Sequence, residues 1–136
     1  MPASPAALRE PFSRPPARCE PVILVVDDDA GIRTYLRRCL GPITRRVCEA
    51  ADGVEALAVA RASVPEGLAL VIADLLMPRM DGLELHAILR TDPAFAAIPV
   101  LFVSGEPTPV PEGTLLQKPF NARTVRAAVH AMLSLS

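Results

Sequence analysis

Residues 68–82 read LALVIADLLMPRMDG, and the order of residue types in this stretch decides the fold. The run Leu68–Ala73 is apolar throughout, which is typical of a strand that is covered on both faces of a sheet. Asp74 follows directly, Met77-Pro78 interrupts the chain, and Asp81 can cap a helix that follows. The stretch therefore predicts a buried strand, a loop that starts with a carboxylate, and a helix over the next nine residues, 82–90.

Three other apolar runs have the same form, because each leads into a polar residue. They are Val22–Val26 before Asp27 and Asp28, Pro99–Val103 before Ser104, and Thr114–Gln117 before Lys118. In an open sheet of parallel strands, ligands bind outside the carboxyl ends of the strands. Carboxylates, a hydroxyl and an ammonium group would meet there. Such a set of groups is suited to hold a divalent cation and a phosphoryl group.

Amphipathic segments alternate with these strands, together with a weaker strand at Thr44–Ala50. The alternation predicts an α/β fold with a doubly wound, five-stranded parallel sheet. Asp52 and Asn121 are candidate N-caps of the second and the last helix. The apolar positions expected to face inward are Ile32, Tyr35, Leu36, Cys39 and Leu40 in the first helix, Val54, Leu57 and Ala58 in the second, and Val125, Ala128, Val129, Met132 and Leu133 in the last.

Prolines interrupt this pattern at two places. Residues 1–21 contain Pro2, Pro5, Pro11, Pro15, Pro16 and Pro21. Because proline fixes φ and lacks an N–H, this composition predicts a flexible, extended arm over residues 1–20, ahead of one domain at 21–136. Between the fourth and fifth strands, three more prolines each oppose a helix interior by about 3 kcal/mol. Gly105–Glu112 is therefore predicted to be an extended loop.

Composition limits the remaining function classes. With 136 residues the chain is expected to form one domain, and its core is expected to be aliphatic, since 51% of residues are hydrophobic and 4% aromatic. A net charge of −1 gives no reason to expect nucleic-acid binding, and the apolar runs stay far below the ~18 residues of a membrane span. Cys19, Cys39 and Cys48 lack metal-ligand spacing and are typical of a reducing compartment. A cytoplasmic protein is the expectation.

Four motifs in this order resemble the receiver domain of bacterial two-component response regulators. They are Val25-Val26-Asp27-Asp28-Asp29, the segment Asp74–Gly82, Val103-Ser104-Gly105, and Gln117-Lys118-Pro119-Phe120. The resemblance covers about residues 21–133. It implies a flavodoxin-like strand order 2-1-3-4-5, an order that is common in doubly wound sheets. It also implies a cis peptide bond between Lys118 and Pro119.

The resemblance implies a role for each site residue. Asp74 would accept a phosphoryl group from a phosphohistidine on a sensor histidine kinase or a histidine phosphotransfer protein. Mg²⁺ is the implied cofactor, with Asp28, Asp74 and the backbone carbonyl of Leu76 as direct ligands. Asp27 would act on the metal through water. Beyond Mg²⁺-dependent self-phosphorylation and self-dephosphorylation, no enzyme activity is expected.

Lys118 and Ser104 are implied to contact the phosphoryl group once it is bound. The chain departs from the family pattern in the region that usually forms the partner-binding face. The proline loop Gly105–Glu112 replaces the fourth helix, and Leu115 stands where an aromatic residue is common. We therefore expect the loop, which is tethered to Ser104, to be the moving part of the switch.

Three interpretations stay open. The leading one is a stand-alone response regulator that signals by phosphorylation-dependent binding to an unknown protein, since Ser136 closely follows the last helix and Met1 with its proline arm favours a natural start. The second is a pseudo-receiver that never takes phosphate, or the receiver of a hybrid kinase or phosphorelay. The third is an aspartate-nucleophile phosphatase of the haloacid-dehalogenase type, suggested by Asp27-x-Asp29, although Gly31 does not fit that motif.

Overall fold

In a computed structural model, the chain forms a five-stranded parallel sheet in the order β2-β1-β3-β4-β5, with helices on both faces. The structure describes residues 20–77, 79–111 and 114–134. The strands are β1 (Val22–Val26), β2 (Val47–Ala50), β3 (Leu68–Asp74), β4 (Val100–Ser104) and β5 (Leu115–Gln117). The α-helices of the described residues are α1 (Ala30–Leu40), α2 (Gly53–Ser63), α3 (Gly82–Thr91) and α4 (Ala122–Ser134). This confirms the predicted fold class and strand order.

The core has two layers, one on each face of the sheet. On one face, Leu24, Val71 and Phe102 pack with residues of α2 and α3. On the other face, alternate residues of the same three strands pack with residues of α1 and α4, among them Ile23 and Leu101. All five residues of β1 and of β4 are buried. Their continuous apolar sequences are thus explained by coverage on both sides.

The predicted inward faces of two helices need correction. In α2, Val54 is 45% exposed and Ala58 is also exposed, while the buried side is formed by Gly53, Ala56, Ala60 and Ser63. The small side chains on this buried side let the helix lie close to the sheet. At its start, a Cβ on Gly53 would lie 2.7 Å from the Met80 Cβ. In α1, Tyr35 is 39% exposed. Its ring lies beside a surface cleft instead of entering the core.

Strand β2 begins at Val47, three residues later than predicted. The preceding residues are used to hold the start of β1. The Thr44 hydroxyl donates to the Pro21 carbonyl at 2.6 Å, and the Arg45 amide donates to the Glu20 carboxylate at 2.6 Å. The Arg45 guanidinium donates to the same carboxylate. These hydrogen bonds fix the amino end of β1, next to the point where its pairing with β2 starts.

The segment between β4 and β5 contains no helix in its described residues, 105–111 and 114, as predicted. Pro107, Pro109 and Pro111 are exposed, whereas Val110 is half-buried and packs on the core beside Leu115. The Lys118-Pro119 peptide bond is cis, as expected. Glu112 and the predicted arm at residues 1–19 lie outside the described residues. Within the described part of the chain, each helix is too short or too polar to cross a membrane.

We expect Gly82→Ala to lower the free energy of unfolding by about 1–3 kcal/mol, the usual cost of overpacking. The reason is that a Cβ at this position would lie 2.5 Å from the Asp74 carbonyl oxygen. Gly105→Ala is the matched control, because no atom lies within 4 Å of a Cβ there. Its change should stay within about 0.5 kcal/mol. Urea unfolding followed by circular dichroism measures both, and equal stabilities would contradict this close approach of α3 to β3.

Candidate functional site

The carboxyl ends of the strands bring the predicted polar residues together. The three carboxylates of Asp27, Asp28 and Asp74 each place an oxygen within 4.8 Å of the others. The Lys118 ammonium donates a hydrogen bond to Asp74 Oδ2 at 3.0 Å and lies 3.4 Å from Asp27 Oδ2. Ser104 ends the neighbouring strand β4, and its carbonyl accepts a 2.7 Å hydrogen bond from the Lys118 amide. The polar residues thus lie together at the carboxyl edge of the sheet, as the sequence predicts.

The three consecutive aspartates after β1 have different environments. Asp29 caps α1, because its Oδ1 accepts hydrogen bonds from the amides of Gly31 and Ile32. Asp27 is buried, and its Oδ1 accepts a 2.9 Å hydrogen bond from the Asp29 amide. Asp28 is exposed. The interpretation as a simple capped turn therefore applies to Asp29 alone, and the use of Asp29 as a cap disfavours the phosphatase interpretation.

The loop after β3 holds Asp74 in place. The Asp74 Oδ1 accepts a 3.1 Å hydrogen bond from the amide of Leu76, whose side chain is 74% exposed. Farther along, Arg79 has a φ of 66°, in the left-handed region that non-glycine residues rarely adopt. Its guanidinium donates from Nε and Nη2 to Asp52 Oδ2, and the Gly53 amide donates to the Met80 carbonyl. These contacts to the start of α2, which the sequence patterns did not indicate, fix the outer part of the loop.

The surroundings of Asp27 disfavour its charged form. Burial raises the pKa of its carboxyl to about 6, and the charge of Asp74 adds to the rise, against the Asp29 amide and Lys118, which lower it. Among the described residues, its Oδ2 is the buried side-chain oxygen or nitrogen that has no hydrogen-bond partner. An unsatisfied buried carboxylate oxygen is costly. It therefore marks a place where a cation would be stabilised.

The Lys118 ammonium supplies part of the positive charge that the carboxylates require. Burial favours its neutral form, but the hydrogen bond to Asp74 and the charges of Asp27 and Asp74 outweigh burial, so the pKa of the ammonium group is raised. One ammonium faces three carboxylates, which leaves a surplus of negative charge. Hard carboxylate oxygens in this number are ligands that Mg²⁺ prefers. The donor set and the Oδ2 of Asp27, which accepts no hydrogen bond within the described part of the chain, both fit that ion.

Ser104 links the site to the proline loop. Its side chain is buried, and its Oγ accepts a 3.1 Å hydrogen bond from the Glu106 amide. The Thr108 hydroxyl in turn donates to the Glu106 carbonyl at 3.2 Å. The hydroxyl of Ser104 is thus bonded to the loop and still stands beside the carboxylate edge.

A cleft of about 300 Å³ opens next to Lys118 and was not predicted from the sequence. Its lining consists of Ile32, Tyr35, Lys118, Pro119 and Phe120. The two aromatic rings lie with centroids 6.0 Å apart, and the Tyr35 hydroxyl donates a long 3.5 Å hydrogen bond to the Phe120 carbonyl. The helical spacing of Tyr35 suggested a core position. A tyrosine that follows an isoleucine at i+3 is equally suited to the wall of a cleft.

Comparison with known proteins gives a consistent result. Residues 23–130 match the family model described as the response regulator receiver domain. The chain is 33% identical over 124 residues to the sensor histidine kinase TmoS of Ectopseudomonas mendocina and 34% identical over 119 residues to the probable transcriptional regulator ycf27 of Porphyridium aerugineum. These alignments cover 85% and 82% of this chain, but only 12% and 47% of the two relatives.

Among solved structures, the chain is similar to the chemotaxis response regulator CheY4 of Vibrio cholerae. The TM-score is 0.76 and the sequence identity 30%. The match covers 83% of this chain and 98% of that structure. The likeness thus extends over almost the whole of the compared domain.

We expect Asp27→Asn to raise the free energy of unfolding at pH 7 by about 1–2 kcal/mol in the presence of EDTA. The folded state of the natural chain holds the Asp27 proton up to about pH 6, whereas an aspartate of ordinary pKa loses it near pH 3.8. The folded state therefore binds more protons in this window, and the stability of the natural chain falls as pH rises through it. The amide cannot ionise, so the advantage of the variant should vanish towards pH 4.

Urea unfolding at several pH values measures this difference. Asp28→Asn is the matched control, because Asp28 is exposed and should change stability by no more than about 0.5 kcal/mol. A destabilised Asp27→Asn at pH 7 would contradict the assignment of unfavourable burial to this carboxylate.

Proposed function

Because the chain belongs to the response regulator receiver domain family, we propose that Asp74 accepts a phosphoryl group from a phosphohistidine and that the product changes how the domain binds other proteins. The observation that carries the proposal is the contact of Asp74 with Lys118, inside a cluster of three carboxylates. A half-buried lysine that is hydrogen-bonded to one carboxylate of the cluster is suited to hold the oxygens of a phosphoryl group transferred to that carboxylate.

The chemistry requires few groups. One Asp74 carboxylate oxygen attacks phosphorus, and the bond from phosphorus to the donor imidazole nitrogen breaks. That nitrogen keeps the electron pair, and a proton on the other ring nitrogen of the phosphohistidine lets the ring leave uncharged. The product is an acyl phosphate on Asp74 and a neutral imidazole on the donor. The Lys118 ammonium, now bonded to Asp74 Oδ2, is placed to donate to the incoming phosphoryl oxygens. Attack of water on phosphorus later restores the carboxylate, so the domain needs no further catalytic activity.

Mg²⁺ is the proposed cofactor. When bound, it would neutralise negative charge on the carboxylates and on the phosphoryl oxygens. Asp28, Asp74 and the Leu76 carbonyl are proposed as its direct ligands, and Asp27 as a group that holds a metal-bound water. The Oδ2 of Asp27 accepts no hydrogen bond from the described residues, which supports this last role.

The proposed phosphodonor is a sensor histidine kinase or a histidine phosphotransfer protein. A stand-alone regulator and the receiver of a hybrid kinase would use the same chemistry, and we favour the stand-alone form with output through an as yet unknown protein target. We place this exchange in the cytoplasm. The free thiols of Cys39 and Cys48 are in keeping with a reducing compartment.

The proline loop is proposed to carry the output. A phosphoryl oxygen on Asp74 would compete with the Glu106 amide for Ser104, because the hydroxyl can donate to the phosphoryl group and turn its lone pairs away from the loop. The Glu106 hydrogen bond would then lengthen or break, and the exposed loop over residues 105–111 would shift. The three prolines limit how far the backbone can bend, so the loop should move as a stiff segment.

We expect incubation with Mg²⁺ and acetyl phosphate to add the mass of one phosphoryl group to the chain, as measured by intact mass spectrometry. Asp74→Asn should abolish the adduct, because the amide is a poor nucleophile. Asp92→Asn, at the opposite end of α3, is the matched control and should keep it. An unmodified natural chain would favour the pseudo-receiver interpretation. An adduct that persists in Asp74→Asn would place the acceptor elsewhere.

A second test concerns the loop. In the presence of Mg²⁺ and beryllofluoride, an inert phosphoryl mimic, the amide resonances of Gly105 and Glu106 should shift in heteronuclear NMR spectra. Ser104→Ala should remove most of the shift, because the alanine cannot bond either the Glu106 amide or the mimic. The amide of Asp92, distant from the site, serves as the internal control. Loop resonances that move equally in Ser104→Ala would contradict the role of the hydroxyl.

A further inference from the structure

The loop between β3 and α3 contains a strained residue whose side chain is paired with the neighbouring helix. Arg79 has a φ of 66°, a left-handed conformation that costs free energy in any residue with a Cβ. Such a residue persists only where surrounding contacts compensate for the strain. Its guanidinium supplies one such contact, because Nε and Nη2 both donate to Asp52 Oδ2, at 3.0 Å from Nε.

Asp52 is itself held in a fixed orientation at the start of α2. Its Oδ1 accepts a 2.9 Å hydrogen bond from the Glu55 amide, and the Glu55 carboxylate accepts a 2.6 Å bond from the Ala51 amide. The Glu55 amide and the Arg79 guanidinium hold the pKa of the Asp52 carboxyl below its ordinary value, so the pair is ionised at neutral pH. Exposed ion pairs contribute little, but the Asp52 side chain is only 9% exposed. Its contact with Arg79 therefore restrains the loop.

A second contact joins the same loop to α2 through the backbone. The Gly53 amide donates to the Met80 carbonyl at 3.3 Å. Arg79 lies only three residues after Leu76, whose amide donates to Asp74 Oδ1 at 3.1 Å. The outer part of the loop is thus attached to a helix, and its inner part orients the carboxylate. Because the chain between them is so short, a change at the outer contact is transmitted to the inner one.

We propose that Arg79 is a positioning residue for the carboxylate edge. Its ion pair with Asp52 holds the loop so that the Leu76 peptide group keeps Asp74 oriented through its amide and is in place to offer its carbonyl to Mg²⁺. The consequence for Mg²⁺ rests on the proposed function, which names this carbonyl as a ligand. The restraint of the loop does not.

The affinity for Mg²⁺ tests this role, because charge and position predict different signs. Arg79→Ala removes a positive charge, so charge alone would make Mg²⁺ bind more tightly. Asp52→Asn removes a negative charge and keeps a residue that can cap α2. We expect both variants to raise the Mg²⁺ dissociation constant by about tenfold, the lower end of the usual effect of residues that orient metal ligands. A Mg²⁺ titration followed by the amide resonance of Leu76 measures the constant.

Further variants separate the ion pair from other effects. Arg79→Ala/Asp52→Asn should bind Mg²⁺ no more weakly than either single variant, since both changes break one contact. Arg79→Lys should recover part of the affinity, because its ammonium keeps the charge but lacks the planar pair of donors. Arg61→Ala, which removes an exposed positive charge from the last turn of α2, is the matched control and should leave the constant unchanged. Tighter binding by Arg79→Ala, or additive losses in the double variant, would overturn the proposal.

Hydrogen exchange in EDTA measures the restraint of the loop without metal. The Gly53 amide, which donates to the Met80 carbonyl, should lose most of its protection in Arg79→Ala and Asp52→Asn and keep it in Arg61→Ala. Unchanged protection in the first two variants would overturn the restraint itself. If the natural chain binds no Mg²⁺ while protection is lost as expected, the proposed cofactor fails and the restraint of the loop by Arg79 stands.

Discussion

The contact between the Lys118 ammonium and the Asp74 carboxylate is the constraint on which the rest of the site depends. Three carboxylates at one sheet edge repel one another, and the burial of Asp27 makes that repulsion stronger. One ammonium cannot balance them. Lys118 therefore balances only part of the negative charge at this edge. The remaining charge of the carboxylates, which the fold holds close together, would stabilise a divalent cation or another positive charge there.

Much of this arrangement was readable from the sequence. Apolar runs such as Leu68–Ala73 predict the strands, and the rule that ligands bind at the carboxyl ends of parallel strands predicts that Asp74, Ser104 and Lys118 share one edge. Prolines at alternate positions excluded a helix between the last two strands. These inferences succeeded because each depends on local covalent properties or on topology, which the order of residues determines.

The features that the sequence did not predict share a different cause. Helix α2 carries two stripes that compete for the core, and the stripe of Ala56 and Ala60 is buried because small residues permit closer packing than Val54 would allow. The pair of Arg79 with Asp52 and the cleft at Tyr35 both join segments that are far apart in sequence. Contacts of this kind depend on how helices and loops settle on the sheet, and periodicity within one helix carries no information about them.

The difference between local and long-range contacts also affects how a change at the site could alter the rest of the domain. Asp27 and Asp74 each accept a short-range hydrogen bond from their own loops, whereas the hydroxyl of Ser104 is bonded to a segment that lacks helical support. A segment with few packed contacts changes position at a lower free-energy cost than a helix docked on the sheet. Val110, one of the two half-buried residues in the described part of that segment, packs on the core. The Glu106 amide, which donates to the Ser104 hydroxyl, is therefore the direct link between the site and the proline loop.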